Sequence, residues 1–217
     1  MMLLLIAFVM FVLIVASTWW FGLWSNMVTL INLFLASLLA SSIYEPVAKQ
    51  LTQINSSYRS VYDFVAIWLV FCLAFFIIRG ITDVASAYRL KFDPVTEMIG
   101  RSILSIWIAG VFICFSFFTL QMAPFTPAMY GSETEVRDPK ELGTIPDKLW
   151  CAFIQSRSRG ALAAGKDAGW GLKAYSAKVH PDDVDLNSRV FDPFGNFLFN
   201  MESRRWDLSK KKNIRGN

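Results

Sequence analysis

The first part of the chain is a series of long apolar runs separated by short polar breaks. The runs cover about residues 3–23, 27–44, 61–81 and 102–123. Each is close to the ~20 apolar residues that an α-helix needs to cross a hydrocarbon core. Up to Ala123 the charged residues are Glu45, Lys49, Arg59, Asp63, Arg79, Asp83, Arg89, Lys91, Asp93, Glu97 and Arg101, all between runs or at their edges. From Pro124 onward charges are dense and mixed in sign. The pattern predicts an all-α membrane protein: four transmembrane helices in residues 1–123, a linker over 124–146, and a small polar C-terminal domain over 147–217. Met1 to Val15 carries no Lys or Arg, and no small-x-small site precedes a polar region, so the first run reads as a retained span.

The breaks carry their own signals. Trp19, Trp20 and Trp24 cluster after the first run, where indole rings favour the headgroup level. Gly22 and the pair Ser25-Asn26 suit a tight turn. After the second run comes Glu45-Pro46, and proline suits the first turn of a new helix. Val47, Leu51, Ile54 and Tyr58 then recur at helical spacing opposite Lys49, Gln50, Thr52 and Gln53. This predicts a short amphipathic helix lying in the interface. Arg79, near the end of the third run, is placed to snorkel to the headgroups. Ile81, Val84, Ala85 and Tyr88 form a further stripe, either a second interfacial helix or an extension of the third span. Asp93-Pro94 reads as an N-cap followed by proline at the first helical position, opening the fourth span.

Small residues recur at helical intervals inside the runs. Ala36 and Ala40, and Ser37 and Ser41, are small-xxx-small pairs that let helices approach closely in lipid. Gly100, Ser105 and Gly110 do the same for the fourth span. Asn32 lies within an apolar run and reads as a helix–helix hydrogen bond, with a transport-path residue as the sharper alternative.

The tail divides less clearly. Gly131 to Pro146 is charged and turn-rich. Leu149 to Ala164 looks helical, started by Pro146 and Asp147 and burying Leu149, Trp150 and Phe153. Phe197, Phe199 and Met201 alternate as in a strand, but the segment also fits a helix, so the domain stands as α or α+β. Ser209 to Asn217 reads as a frayed basic tail.

Composition agrees with the pattern. Of 217 residues, 54% are hydrophobic and 18% charged, against roughly 45–50% and 25% in a soluble domain. The net charge of +4 does not point to nucleic acid, because acids are interspersed with the bases. It suits an anionic membrane surface. Cys72, Cys114 and Cys151 are odd in number and widely spaced, with no metal spacing and no disulfide framework.

Candidate chemistry is sparse. His180, the only histidine, stands in His180-Pro181-Asp182-Asp183-Val184-Asp185, which lacks the glycine and distal glutamate of a calcium loop. Asp63, Asp83, Asp93 and Glu97 sit at run ends, where carboxylates cap helices or meet water. A Ser-His-Asp site is not expected with one histidine in a proline-flanked loop, and no phosphate-binding loop occurs. We therefore expect no catalytic, cofactor or metal site and no enzyme activity. Arg204-Arg205-Trp206 and Lys210-Lys211-Lys212 form a basic end, read first as a solvated tail and second as a contact for acidic headgroups.

Residues Leu3 to Pro124 resemble the CvpA family, the colicin V production proteins of bacterial inner membranes. The likeness rests on Gly22-Leu23-Trp24-Ser25-Asn26 between the first two spans, Tyr44-Glu45-Pro46-Val47-Ala48 leading to Leu51, Phe92-Asp93-Pro94, and Gly100 opening the last span. Leu104 stands where the family commonly has a second glycine, and an acidic residue common early in the first span is missing. The resemblance implies a four-span protein of the bacterial inner membrane, linked to colicin V or toxin production or export and to envelope homeostasis. It implies no catalytic residue.

Two roles compete on these grounds. One is a non-enzymatic scaffold or assembly factor, with the bilayer and membrane or envelope proteins, or a further copy of the chain, as partners. The other is a small channel or transporter subunit, whose polar path has only Asn26, Asn32, Ser102 and Ser105 to draw on. No charge lies in mid-span, which weighs against the second. The positive-inside count is a tie between the two faces.

Overall fold

A computed structural model describes residues 2–54, 59–85, 92–123, 145–158 and 196–215. The described residues form helices and no strands: α1 (Met2–Trp19), α2 (Leu23–Ile54), α3 (Arg59–Ala85), α4 (Pro94–Met122), α5 (Ile145–Ser158) and α6 (Phe197–Arg215). Three helical segments, Leu23–Gln53, Val61–Ala85 and Pro94–Met122, are long and apolar enough to cross a membrane. The chain divides into two compact units, Met1–Phe115 and Ser116–Asn217, and the division falls inside α4.

In the first unit, α2 turns mostly small residues inward and large apolar ones outward. Ala36, Ser37, Ala40, Ser41, Tyr44 and Ala48 form a buried stripe along α2, while Ile31, Leu35, Leu39 and Ile43 form an exposed one. On α3, Ala66, Ile67 and Phe71 are buried and Leu69, Leu73, Phe76 and Ile77 exposed. On α1, Leu5, Phe8 and Leu13 are each more than 60% exposed. A water-soluble protein inverts this arrangement, because apolar area left in water costs about 25 cal/mol per Å². In lipid, large apolar chains lose nothing by facing outward, and small ones let backbones close in. The unit is therefore built for a bilayer.

Aromatic rings fill the seam between α3 and α4. Trp68 meets Phe71, Phe112 and Phe115 edge-on with centroids 5.6–6.1 Å apart. Phe71 and Phe115 are closer still, at 4.8 Å.

Several expected boundaries move. The first turn is tighter than the spacing suggested: α1 ends at Trp19 and α2 starts at Leu23, so Ser25 and Asn26 already lie within α2. The amphipathic segment from Val47 is not a separate interfacial helix. It continues α2 to Ile54 straight through Pro46. Proline removes one donor, so Ser42 C=O receives no bond from position 46. Buried Tyr44 and Ala48 flank the proline, and α3 packs along α2. Tertiary packing on both sides of Pro46 holds the axis where the local rule breaks it. Residues 55–58, including Tyr58, lie outside the described residues.

The stripe Ile81, Val84, Ala85 is a direct extension of α3; Tyr88 lies outside the described residues. At α4, Val95 N–H donates to Asp93 Oδ2 at 3.4 Å, and Glu97 N–H to Asp93 C=O at 2.9 Å. Asp93 is thus the N-cap, with Pro94 in the position where its missing donor costs nothing.

In the second unit the candidate strand around Phe197, Phe199 and Met201 is the start of α6. The basic tail is helical to Arg215 rather than frayed from Ser209. On α5, Trp150 is buried as expected, but Leu149 is 40% exposed. The expected linker ends earlier than 146, since α5 already starts at Ile145; residues 124–144, His180 to Asp185 and α5's expected continuation over 159–164 lie outside the described residues.

Candidate functional site: the polar end of the helix bundle

Side-chain hydrogen bonds bring the end of α1, the start of α2, the end of α3 and the start of α4 to one end of the first unit. Polar side chains concentrate there. Asn26, fully buried, donates from Nδ2 to Thr18 C=O at 3.1 Å and to Ser105 Oγ at 3.3 Å. Ser105 in turn donates to Arg101 C=O at 2.8 Å. One amide thus ties α1, α2 and α4 together.

Further into α2, Asn32 donates to Thr82 Oγ1 at 2.8 Å, and Thr82 to Arg79 C=O at 3.0 Å. Arg79 reaches back with Nη1 to Thr29 Oγ1 at 2.8 Å and with Nε to Asp83 Oδ2 at 3.0 Å. Its guanidinium is therefore engaged by protein and not simply extended to headgroups. Guanidinium suits this use, since its fixed fork bonds a carboxylate and a hydroxyl at once.

The aromatic anchors differ in what they touch. Trp19 donates Nε1–H to Ser102 Oγ at 3.0 Å, and the Arg101 guanidinium lies over its ring at 4.1 Å. Trp20, edge-on to Trp19 at 6.3 Å, is 82% exposed. Trp24 is half-buried.

The small residues divide likewise. Ala36, Ser37, Ala40, Ser41 and Ser105 are buried. Ser37 and Ser41 donate to Leu33 C=O and Ser37 C=O on their own helix, at 2.6 Å and 2.8 Å. Both are small enough to leave room for a neighbouring helix. A Cβ on Gly100 would sit 2.6 Å from Leu23 Cδ1, so this glycine admits the first residue of α2. A Cβ on Gly110 would meet nothing within 4 Å. Among the described residues Gly110 therefore faces open space, unlike Gly100.

Of the four carboxylates considered for acid–base work, Asp63 and Asp83 stand near opposite ends of α3, ~30 Å apart at 1.5 Å per residue. Asp83 pairs with Arg79, and Asp93 caps α4. Glu97 Oε1 would lie 3.3 Å from a Cβ on Gly22, so the glycine leaves it room. Among the described residues no group of three His, Cys, Asp or Glu is placed to hold a metal ion.

What the polar end does chemically is bind helices to one another and leave spare acceptors. Asn26 Oδ1 and Asn32 Oδ1 are buried with no hydrogen-bond partner among the described residues. The four residues a polar path would draw on are all bonded to other helices: Asn26 with Ser105, Asn32 with Thr82, Ser102 with Trp19.

A second polar cluster, which sequence reasoning missed, lies in the second unit. Arg205 donates from Nη1 to Gln121 C=O at 2.8 Å and forms an ion pair through Nη2 with Glu202. Trp206 Nε1–H donates to the other oxygen of Glu202 at 3.0 Å. The Gln121 side-chain amide donates to Asp147, which also accepts from Lys148 N–H at 2.8 Å. Asp147, Glu202 and Arg205 are all buried. A signal existed: Glu202, Arg205 and Trp206 have helical spacing on the face of Leu198 and Met201.

No family model, no curated protein and no solved structure matches this chain.

Proposed function

We propose that the chain is a CvpA-like, non-enzymatic scaffold or assembly factor of the bacterial inner membrane, linked to colicin V or toxin production or export and to envelope homeostasis. In this reading α1 is a fourth span, and residues 147–217 are a soluble domain that meets partners. The observation that carries it is where the resemblance-bearing residues fall. Gly22 C=O accepts from Asn26 N–H at the start of α2, Asp93-Pro94 caps α4, and Gly100 receives Leu23. Scattered along the sequence, these residues fall together at helix starts in the first unit, while Tyr44 to Ala48 and Leu51 lie in the later part of α2. That supports a shared way of fixing helix ends, which is what a scaffold requires.

The test is a photo-crosslinking side chain at Trp20, whose ring is 82% exposed beside the polar end. In intact bacterial cells it should capture one discrete membrane or envelope protein, or a second copy of the chain. Crosslinks to lipid alone would overturn the scaffold reading.

The spare Oδ1 atoms of Asn26 and Asn32 favour a second reading, a small channel or transporter subunit. Proteoliposomes separate the two. A channel should give ion flux that Asn32→Leu abolishes. A scaffold should give none, and Asn32→Leu should only loosen packing, by about 0.6–1.7 kcal/mol.

A further inference from the structure

We propose that the basic end of α6 is a binding surface for anionic lipid headgroups at the membrane face where α4 emerges. The inference rests on α4 crossing the bilayer and not on the scaffold role.

Two observations combine. The first is charge: Lys210, Lys211, Lys212 and Arg215 close α6, with no acid after Asp207. Lys210 is exposed. The second is placement. Phe197, at the start of α6, stacks on Phe118 of α4 with centroids 5.2 Å apart. Two turns later Arg205 bonds Gln121 C=O in the last turn of α4. The contacts advance together, from Phe118 to Gln121 on one helix and from Phe197 to Arg205 on the other. The apolar body of α4 runs to Ala123, so Gln121 marks the edge of the hydrocarbon core. From Arg205 to Lys210, Lys211 and Lys212 the helix rises about 8–11 Å. That rise is about one Debye length, ~8 Å at physiological salt, so this stretch of the α6 backbone stays within electrostatic reach of the headgroup layer. A cluster of lysines held there is attracted by an anionic leaflet.

Burial narrows the surface further. Arg205 is 4% exposed and occupied by Glu202 and Gln121, so it acts as the anchor and not as a lipid ligand. The lysines after it supply the contact.

The experiment is amide hydrogen exchange on the full chain in two sets of vesicles, phosphatidylcholine alone and phosphatidylcholine with about one-third phosphatidylglycerol. Exchange over residues 208–215 should slow roughly threefold or more in the anionic vesicles, and the difference should vanish in about 1 M salt, where the Debye length is about 3 Å. The triple variant Lys210→Gln, Lys211→Gln, Lys212→Gln should lose the difference, and the corresponding triple Arg variant should keep it. Protection around Arg205 in phosphatidylcholine should be the same in all three proteins. Equal exchange in both vesicles, a difference that survives high salt, or one that the Gln variant retains would overturn the proposal. A chain that floats with neither vesicle would overturn it together with the membrane reading.

Discussion

Arg205 shows how much one residue's role depends on where its neighbours point. Its guanidinium supplies a partner to a carbonyl in the last turn of α4, where helices leave acceptors unfilled and favour positive charge. It also neutralises Glu202 in a buried setting. Arg205→Ala should therefore destabilise the second unit by about 3–5 kcal/mol, because it strands a buried carboxylate. Adding Glu202→Gln should recover part of that loss, since a neutral amide costs less to bury. Denaturant unfolding of the detergent-solubilised protein measures both. Equal stability of the Arg205→Ala and wild-type chains would mean that the pair is solvated. Sequence alone placed Arg204, Arg205 and Trp206 together in a basic end. Charge type is legible there, but burial is not: adjacent arginines on a helix point about 100° apart, and only the docking of α6 on α4 decides which one is enclosed. Asn32 was easier to read, because an amide inside an apolar run has few ways to be satisfied other than across a helix seam.

The elements that depended on local chemistry were legible, and those that depended on packing were not. The start of α4 at Asp93-Pro94 follows from cap geometry within a few residues, and the helical body of α3 follows from its composition. Pro46 misleads because the proline rule describes an isolated helix. Here the residues on both sides of it are buried and carry the helix through. Pro46→Ala should then raise stability, by up to about 3 kcal/mol, since it restores a donor to Ser42 C=O without disturbing the buried face. A fall in melting temperature would show that a break at Pro46 is required. The two glycines of α4 provide a paired test. Gly100→Ala should cost about 1 kcal/mol, because Leu23 must shift away from a Cβ at 2.6 Å. Gly110→Ala meets open space and should gain about 0.5–1 kcal/mol from helix propensity. Thermal unfolding in one detergent orders the two variants, and the reverse order would remove the close contact of Leu23 on α4.

At the scale of the molecule, the number of crossings turns on α1. With 18 residues, α1 is about 27 Å long, slightly short of the ~30 Å core. Yet its large side chains are exposed nearly all round, and Thr18 at its end is tied to Asn26 and α2. A helix exposing that much apolar area is stable only in lipid. It spans if the bilayer thins slightly or the aromatic residues Trp19 to Phe21 extend its apolar length; mismatch of a few Å costs only fractions of a kcal/mol per Å. Parity makes the difference measurable. If α1, α2, α3 and α4 all cross, a cysteine at the N-terminus and one at exposed Asp207 face the same side; if α1 lies in the interface, they face opposite sides. The labelling background must lack Cys72, Cys114 and Cys151, although Cys151 is buried and would react slowly. An impermeant thiol reagent applied to intact cells should modify both introduced cysteines or neither. Modification of one alone would leave three crossings and reduce α1 to a surface helix. Labelling of neither, followed by labelling of both after permeabilisation, would put α6 and its lysines on the cytoplasmic leaflet, the face where basic segments are normally retained.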